Sequence, residues 1–308
     1  MTGRRRPRRD DSSHPAIGGD WTDRKLEVLA KYLSSYTTAL KDQPTASSPF
    51  IKGYIDAFAG TGYRTPREKS NSTVPLFPDL AAPEPQRLLE GSARLALKSK
   101  PPFDRCIFIE RSADRCTELE GLKSEFPALS NAITVRRGEA NAAVRALCSK
   151  DWRAHRAVLF LDAFGMQVEW ETLVAVAKTK AIDLWLLFPL GMGVNRLLTR
   201  SGDIPDSWRR RLDILLGTTG WYDELYRSES STDLFGEQSE RLLKATTDTI
   251  GRYFIQRLKT IFAGVSAKPG VLRNSTNNPL YLLCFAVGNP RGSGVALRIA
   301  DHLLKELH

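Results

Sequence analysis

The chain has 308 residues, 42% of them hydrophobic, which is enough to bury a sizeable core as one large domain or two. Its formal net charge of +10 is unevenly placed: five arginines (Arg4, Arg5, Arg6, Arg8, Arg9) stand in residues 1–9 without an acid, ahead of a body with 40 basic and 35 acidic side chains. The four cysteines, Cys106, Cys116, Cys148 and Cys284, lack C-x-x-C spacing and a neighbouring histidine cluster, which argues against a metal site or disulfide framework and for a reducing cytoplasm.

Residues 1–19, rich in Arg, Ser, Gly and Pro, are expected to form a disordered basic tail. No apolar segment follows it, so it does not have the pattern of a secretory signal. Such an arm suits DNA or RNA, through phosphate contacts and counterion release, with a solubilising tail as the alternative. A helix is expected from Trp21, with Thr22 or Asp23 as cap. Leu26, Leu29, Ala30, Leu33 and Thr37 form its buried stripe, with Lys25, Lys31 and Lys41 largely off that face.

Tyr54-Ile55-Asp56-Ala57-Phe58-Ala59-Gly60-Thr61-Gly62 follows a loop of turn formers and reads as a strand entering a glycine turn. A dinucleotide fingerprint would need a third glycine where Thr65 stands, and no Lys-Ser or Lys-Thr follows as in a phosphate loop. An acid four residues before the first of two spaced glycines resembles the first motif of class I S-adenosyl-L-methionine (SAM) methyltransferases. Residues from Tyr63 to about Glu90 hold five prolines and read as a long loop or insertion.

Ser92 is expected to cap a helix ended by Pro101 and Pro102, and Arg105 to Ile109 is a second strand terminated by Glu110. A helix over about 113–126 leads to a third strand, Ile133 to Arg136, and then to Gly138-Glu139-Ala140-Asn141 opening another helix. Val158 to Leu161 is the fourth strand, closed by Asp162-Ala163-Phe164-Gly165. A helix through Trp170 and Leu173 returns to the fifth, Ile182 to Phe188. The apolar run ending at Leu190 is too short for a bilayer and contains Asp183. Alternation of strand and helix predicts an α/β fold with a mostly parallel twisted sheet, flanking helices and right-handed crossovers.

Beyond Gly191 the pattern predicts a helical insertion. It contains a basic amphipathic helix, Pro205 to Leu216, carrying Arg209, Arg210 and Arg211, and a longer helix over about 237–262. Two strands, Lys268 to Leu272 and Leu280 to Val287, and a terminal helix complete the chain. One domain, 20–308, is expected, divided into an N-terminal helix (20–50), a Rossmann-like core (51–190), the insertion (191–263) and the final strands and helix (264–308). Trp21, Trp170, Trp185 and Trp208 lie in apolar patterns and read as core rather than stacking platforms.

Ligands of open α/β sheets sit beyond the carboxyl ends of the strands where the strand order reverses. The residues there are Asp56, Phe58, Ala59, Gly60, Thr61 and Gly62 under the cofactor, Glu110 with Arg111 at the ribose, and Glu139 or Asn141 at the adenine. Glu110 is placed to accept both ribose hydroxyls; for Glu139 and Asn141 the alternative is helix capping. Asp162-Ala163-Phe164-Gly165 holds the place of the D-P-P-Y turn of amino-methyltransferases. Asp162 supplies the acceptor beside the methyl donor, and Phe164 the ring against the substrate. Arg209 to Arg211 read either as a phosphate surface or as a solvated helix face.

Tyr54 to Gly62, Gly91-Ser92, Phe160 to Trp170, Asp183 to Gly191, Asn195-Arg196 and Asn289 to Gly292, with the Trp21-Thr22 helix start, together resemble the three-Cys-motif partner (TcmP) family. The resemblance covers nearly everything after the basic tail. It implies a Rossmann-like class I methyltransferase fold that uses SAM, and a separate three-cysteine, radical-SAM-like partner protein. The family has proline and tyrosine where this chain has Ala163 and Phe164, so its acceptor turn transfers least directly. A non-catalytic SAM-binding assembly protein is the alternative function.

Overall fold

The computed structural model describes residues 20–42, 50–60, 91–163, 165–232, 235 and 238–307. The basic tail, the proline-rich segment after Gly60, Thr61, Gly62 and Phe164 lie outside them.

Helix α1 (Asp20–Ala39) begins slightly earlier than the capping residues suggested, and leads to β1 (Ile51–Asp56). The next elements are α2 (Ser92–Leu97), β2 (Arg105–Glu110), α3 (Ala113–Glu125), β3 (Ile133–Arg137), α4 (Ala140–Cys148), β4 (His155–Leu161), α5 (Trp170–Lys178) and β5 (Ile182–Phe188). These five strands pair in parallel in the order β3-β2-β1-β4-β5. From β1 the chain steps outward to β3, then returns to the other side of β1 for β4, so the order reverses between β1 and β4. That is the α/β topology whose ligand crevice opens beyond the carboxyl ends of the strands. The fold is a Rossmann-like, methyltransferase-type α/β fold.

Past β5 come the short helix α6 (Asn195–Leu197), α7 (Asp206–Leu216), α8 (Trp221–Leu225), the strands β6 (Tyr226–Thr232) and β7 (Gln238–Lys244), and α9 (Thr247–Lys259). The single long helix expected over 237–262 is therefore corrected: its first third is strand. Glu240, Arg241 and Leu242 are good helix formers, but pairing with the Ser-rich β6 overrides propensity. The helix starts only where Thr246 accepts a hydrogen bond from the Thr249 amide. Gly217 closes α7 at φ +65; a Cβ there would meet the Trp170 ring at 2.0 Å.

The sheet is completed by β8 (Gly264–Val265), β9 (Gly270–Arg273) and β10 (Pro279–Val287), where β10 runs antiparallel beside β5 and carries both β8 and β9. Helix α10 (Ser293–Leu304) ends the fold. Side chains alternate strictly between two apolar layers. Ile55, Leu159, Leu184 and Leu186 face α4, α5, α7 and α9, whereas Tyr54, Val158, Phe160 and Trp185 face α1, α2, α3 and α10. Period-two alternation with both faces covered is what a central parallel sheet needs.

Helix α1 buries Leu26, Leu29, Leu33 and Thr37 as expected, and also Tyr32 and Tyr36. Tyr32 packs on Trp185 and Phe285 at ring distances of 5.2 and 4.9 Å. Trp170 and Trp185 are core residues, while Trp21 and Trp208 are half-buried. The expectation for Lys25 is corrected: it lies in the buried stripe at 4% exposure, because the Asp162 carboxylate at the end of β4 meets it there.

Candidate active site

The end of β1 is fixed by a buried carboxylate. Asp56 is fully enclosed, and its Oδ2 accepts from Ser92 Oγ at 2.5 Å and from Tyr54 Oη at 3.3 Å, while Oδ1 accepts from the Phe58 amide at 3.3 Å. Burial pushes its pKa up to about 7, with the charge of Asp162 adding to the rise and the Ser92 and Phe58 hydrogen bonds opposing it. Asp56 therefore shapes the turn from behind. Ser92 is its partner rather than a helix cap: Gly91 occupies the cap position of α2.

Gly60 has φ +62, and among the described residues no atom lies within 4 Å of where a Cβ would stand. The backbone conformation alone is enough to favour glycine here. Its amide donates to Glu110 Oε2 at 3.1 Å, which ties the β1 turn to the end of β2. Phe58 is half-buried against the α4/α5 layer, and Ala59 is buried in the other layer. At Glu110, Oε1 also accepts from the amides of Arg111 and Ser112 at 2.8 and 2.9 Å. A carboxylate offers about four accepting directions, and three amides use three of them. Among the described residues one direction is left for a ligand hydroxyl. Arg111 is exposed beside it, and Arg115 Nη1 stands 3.8 Å from Oε2.

Glu139 takes the helix-capping role, while Asn141 lies within the first turn of α4. Glu139 caps α4, accepting from the amides of Asn141 at 2.8 Å and Ala142 at 2.7 Å. Burial raises its pKa, but those hydrogen bonds outweigh it and leave the group below the usual carboxylate range. Asn141 is 5% exposed, and its amide nitrogen donates to Glu139 and to the Gln167 carbonyl, both at 2.9 Å. Its oxygen accepts from the Glu169 amide and Thr172 Oγ1, both at 3.0 Å. Asn141 is thus a clamp that holds the segment following Asp162 against α4.

Asp162 follows β4 directly. Lys25 Nζ donates to its Oδ2 at 2.6 Å; the side chains are 5% and 25% exposed for Lys25 and Asp162. Oδ1 makes no hydrogen bond among the described residues, so one oxygen of the expected acceptor is held by a lysine and the other is open. Lys25 also lies 5.0 Å from the Trp21 ring centroid, and Trp21 stacks on Tyr281 at 5.1 Å. A cation, a carboxylate and two aromatic rings therefore meet at the end of β4. Sequence spacing missed Lys25 and Trp21 as site residues. The available signal was a lysine inside an apolar helical stripe, four residues after a tryptophan.

Arg209, in contrast, lies 4.7 Å from the Tyr222 ring centroid and 5.8 Å from that of Trp221. It is engaged within the insertion, while Arg210 and Arg211 are exposed.

No family model matches the chain, and no curated protein matches it. Among solved structures, similarity extends to protein LPL1258 of Legionella pneumophila, at 10% identity over 96% of this chain and 94% of that one, with a TM-score of 0.46. A spermidine synthase in complex with the transition-state analogue AdoDATO matches at 12% identity over 88% of this chain and 60% of that one, TM-score 0.38. A Geobacter sulfurreducens methyltransferase matches at 12% identity over 75% and 81%, TM-score 0.30. These likenesses are distant, and the fold assignment rests on the strand order. Among the described residues no His/Cys/Asp/Glu group could hold a metal ion, and no helix is long and apolar enough to cross a membrane.

Proposed function

We propose that the chain is a SAM-dependent methyltransferase acting on a nitrogen of a nucleic acid or nucleic-acid-associated substrate. The observation that carries this reading is the hydrogen bond from the Gly60 amide to Glu110. It joins the positive-φ turn after β1 to the acid ending β2, at the point where the strand order reverses. These residues fit an adenosyl cofactor: a turn without side-chain bulk, and a carboxylate with one accepting direction left. SAM would supply an electrophilic methyl group. The chain's own contribution is positioning, with Asp162 Oδ1 open to accept an amine N–H and Lys25 holding the other oxygen in place. The TcmP resemblance supports a separate three-cysteine, radical-SAM-like partner, and Arg4 to Arg9 with Arg210 and Arg211 are the proposed polyanion contacts.

Cofactor choice is the direct test. A ligand that binds only the folded state stabilises it by about 2.7 kcal/mol at a hundredfold excess over its Kd, a melting shift of several degrees. S-adenosylhomocysteine should produce that shift and NAD should not; a shift with NAD alone sinks the assignment. Gly60→Val should abolish the shift while the protein stays folded, because a β-branched residue cannot hold φ +62 cheaply.

One observation favours a second reading, a SAM-binding assembly protein without catalysis: the lysine already seated on the expected acceptor carboxylate. Incubation with methyl-labelled SAM and DNA, RNA or cell extract separates the two. Label transfer supports the enzyme; tight cofactor binding without transfer supports the assembly protein.

A further inference from the structure

The insertion carries a second concave surface that the methyl-transfer reading does not use. A cavity of about 440 Å³ lies between α8, the start of β6 and the outer face of α9. Thr249, Arg252, Tyr253, Gln256, Arg257 and Thr260 line it from α9, at the i, i+3, i+4, i+7 spacing of one helix face. Arg227 of β6 and Glu224 of α8 form the opposite wall. Three guanidinium groups thus share the cavity with a single carboxylate, and no ion pair joins Glu224 to any of them among the described residues.

The three arginines are held differently. Arg257 is locked: Nε and Nη2 donate to the Leu216 carbonyl at 3.2 and 3.1 Å, Nη2 reaches the Gly217 carbonyl at 3.3 Å, and the group lies 4.5 Å from the Trp170 ring centroid. Its Nη1 has no protein partner among the described residues. Among the described residues the Arg252 side chain makes one hydrogen bond, to Thr249 Oγ1 at 3.2 Å, and the Arg227 side chain makes none. Three clustered cations with one carboxylate among them carry a net positive charge, and the neighbouring hydroxyls and the Gln256 amide add hydrogen-bonding groups without adding negative charge. One pre-set guanidinium flanked by two adjustable ones suits a tetrahedral anion with several oxygens.

We propose that this groove is a phosphate-binding site, with Arg227, Arg252 and Arg257 as its ligands. The phosphates come either from the backbone of a nucleic acid strand or from a free oligophosphate. Its position favours a link to the main cleft. Arg257 packs on Trp170, the first residue of the helix that follows the Asp162 turn, and Phe254 of the same helix stacks at 3.8 Å on Phe188 at the carboxyl end of β5. A strand held in the groove would contact the insertion face that packs on the start of α5. The binding itself does not depend on the methyl-transfer reading, since it is measured without cofactor.

The test uses the full chain, with labelled mixed-sequence single-stranded RNA and inorganic tripolyphosphate as probes. Arg227→Gln/Arg252→Gln leaves the structural Arg257 intact, and its melting temperature should match wild type. The double variant should bind about tenfold more weakly, and its log–log salt slope for RNA should fall by about 1.4, for two phosphates at about 0.7 each. Glu224→Gln should tighten binding by removing the one carboxylate. Direct tripolyphosphate binding that is lost in the double variant identifies a free oligophosphate site. RNA binding weakened in the variant without any tripolyphosphate binding identifies the strand backbone. Equal affinity of wild type and double variant for both probes overturns the proposal, whatever the outcome of the cofactor test.

Discussion

Asp162→Asn is expected to lower stability by about 3 kcal/mol, because it strands the Lys25 ammonium in the core, and to lower methyl-transfer turnover by more than cofactor affinity. Lys25 is 4% exposed, and Asp162 Oδ2 at 2.6 Å is its counter-charge. Breaking a buried pair from one side typically costs about 3–5 kcal/mol. The partial exposure of Asp162 places this case at the low end. A loss of that size lowers Tm by about 5 °C or more in a chain of this length. Lys25→Met keeps the stem volume and removes the charge, so the double variant Lys25→Met/Asp162→Asn should regain most of the stability. The coupling in that cycle should be about 2 kcal/mol. Methyl transfer should stay low in the double variant, since asparagine keeps one accepting oxygen but not the carboxylate charge that favours a proton-losing amine in the transition state. Additive destabilisation would show that the pair contributes nothing; recovered transfer in the double variant would remove Asp162 from the mechanism.

That pair also marks where the sequence stopped being informative. The parallel strands were legible from short apolar runs ending in Asp, Glu or Asp-Ala-Phe-Gly, because a strand buried on both faces carries its own signal. The carboxylates at the strand ends were legible for the same reason: they punctuate those runs. What they touch was not. Asp162 is joined to a lysine 137 residues away, and Asp56 to Ser92 across the segment between β1 and α2. Asn141 reads as an adenine contact or a helix cap, and its side chain also bonds Glu139 and the Gln167, Glu169 and Thr172 groups of the segment after Asp162, which sequence spacing does not show. The hairpin of the insertion failed for a different reason. Its second strand has the composition of a helix, and only pairing with β6 makes it a strand.

The largest pH effect should come from the two enclosed carboxylates, Asp56 and Asp183. Asp183, the second residue of β5, accepts from Tyr32 Oη at 3.1 Å in the aromatic cluster under α1. Burial pushes its pKa up to about 7, with the Tyr32 hydrogen bond opposing the rise, and Asp56 is likewise at about 7. Both folded values lie above the ordinary aspartate value, so between about pH 4 and pH 7 the folded state binds more protons than the unfolded chain. Their contribution to stability is therefore fully present below about pH 4 and is lost as pH rises through 7. Within that window each group contributes a fall of roughly 1.4 kcal/mol per pH unit. The lowered carboxylates, Asp151 and Glu139, act with the opposite sign and at lower pH. Urea unfolding at pH 5 and pH 7.5 should then show a less stable protein at the higher pH. Asp183→Asn, which imitates the protonated form, should flatten that slope and stabilise the protein at pH 7.5. Asp183 is level with Val158 and Tyr54 in the sheet register, two strands from β1, and accepts from Tyr32 rather than from any residue of the cofactor turn, so S-adenosylhomocysteine affinity should change less in this variant than in Asp56→Asn. Asp56→Asn should flatten the slope as well, but it also alters the base of the Gly60 turn and should weaken the ligand. A wild-type slope left intact by both substitutions would mean that these carboxyls are ionised in the fold and that the loss of stability has another source.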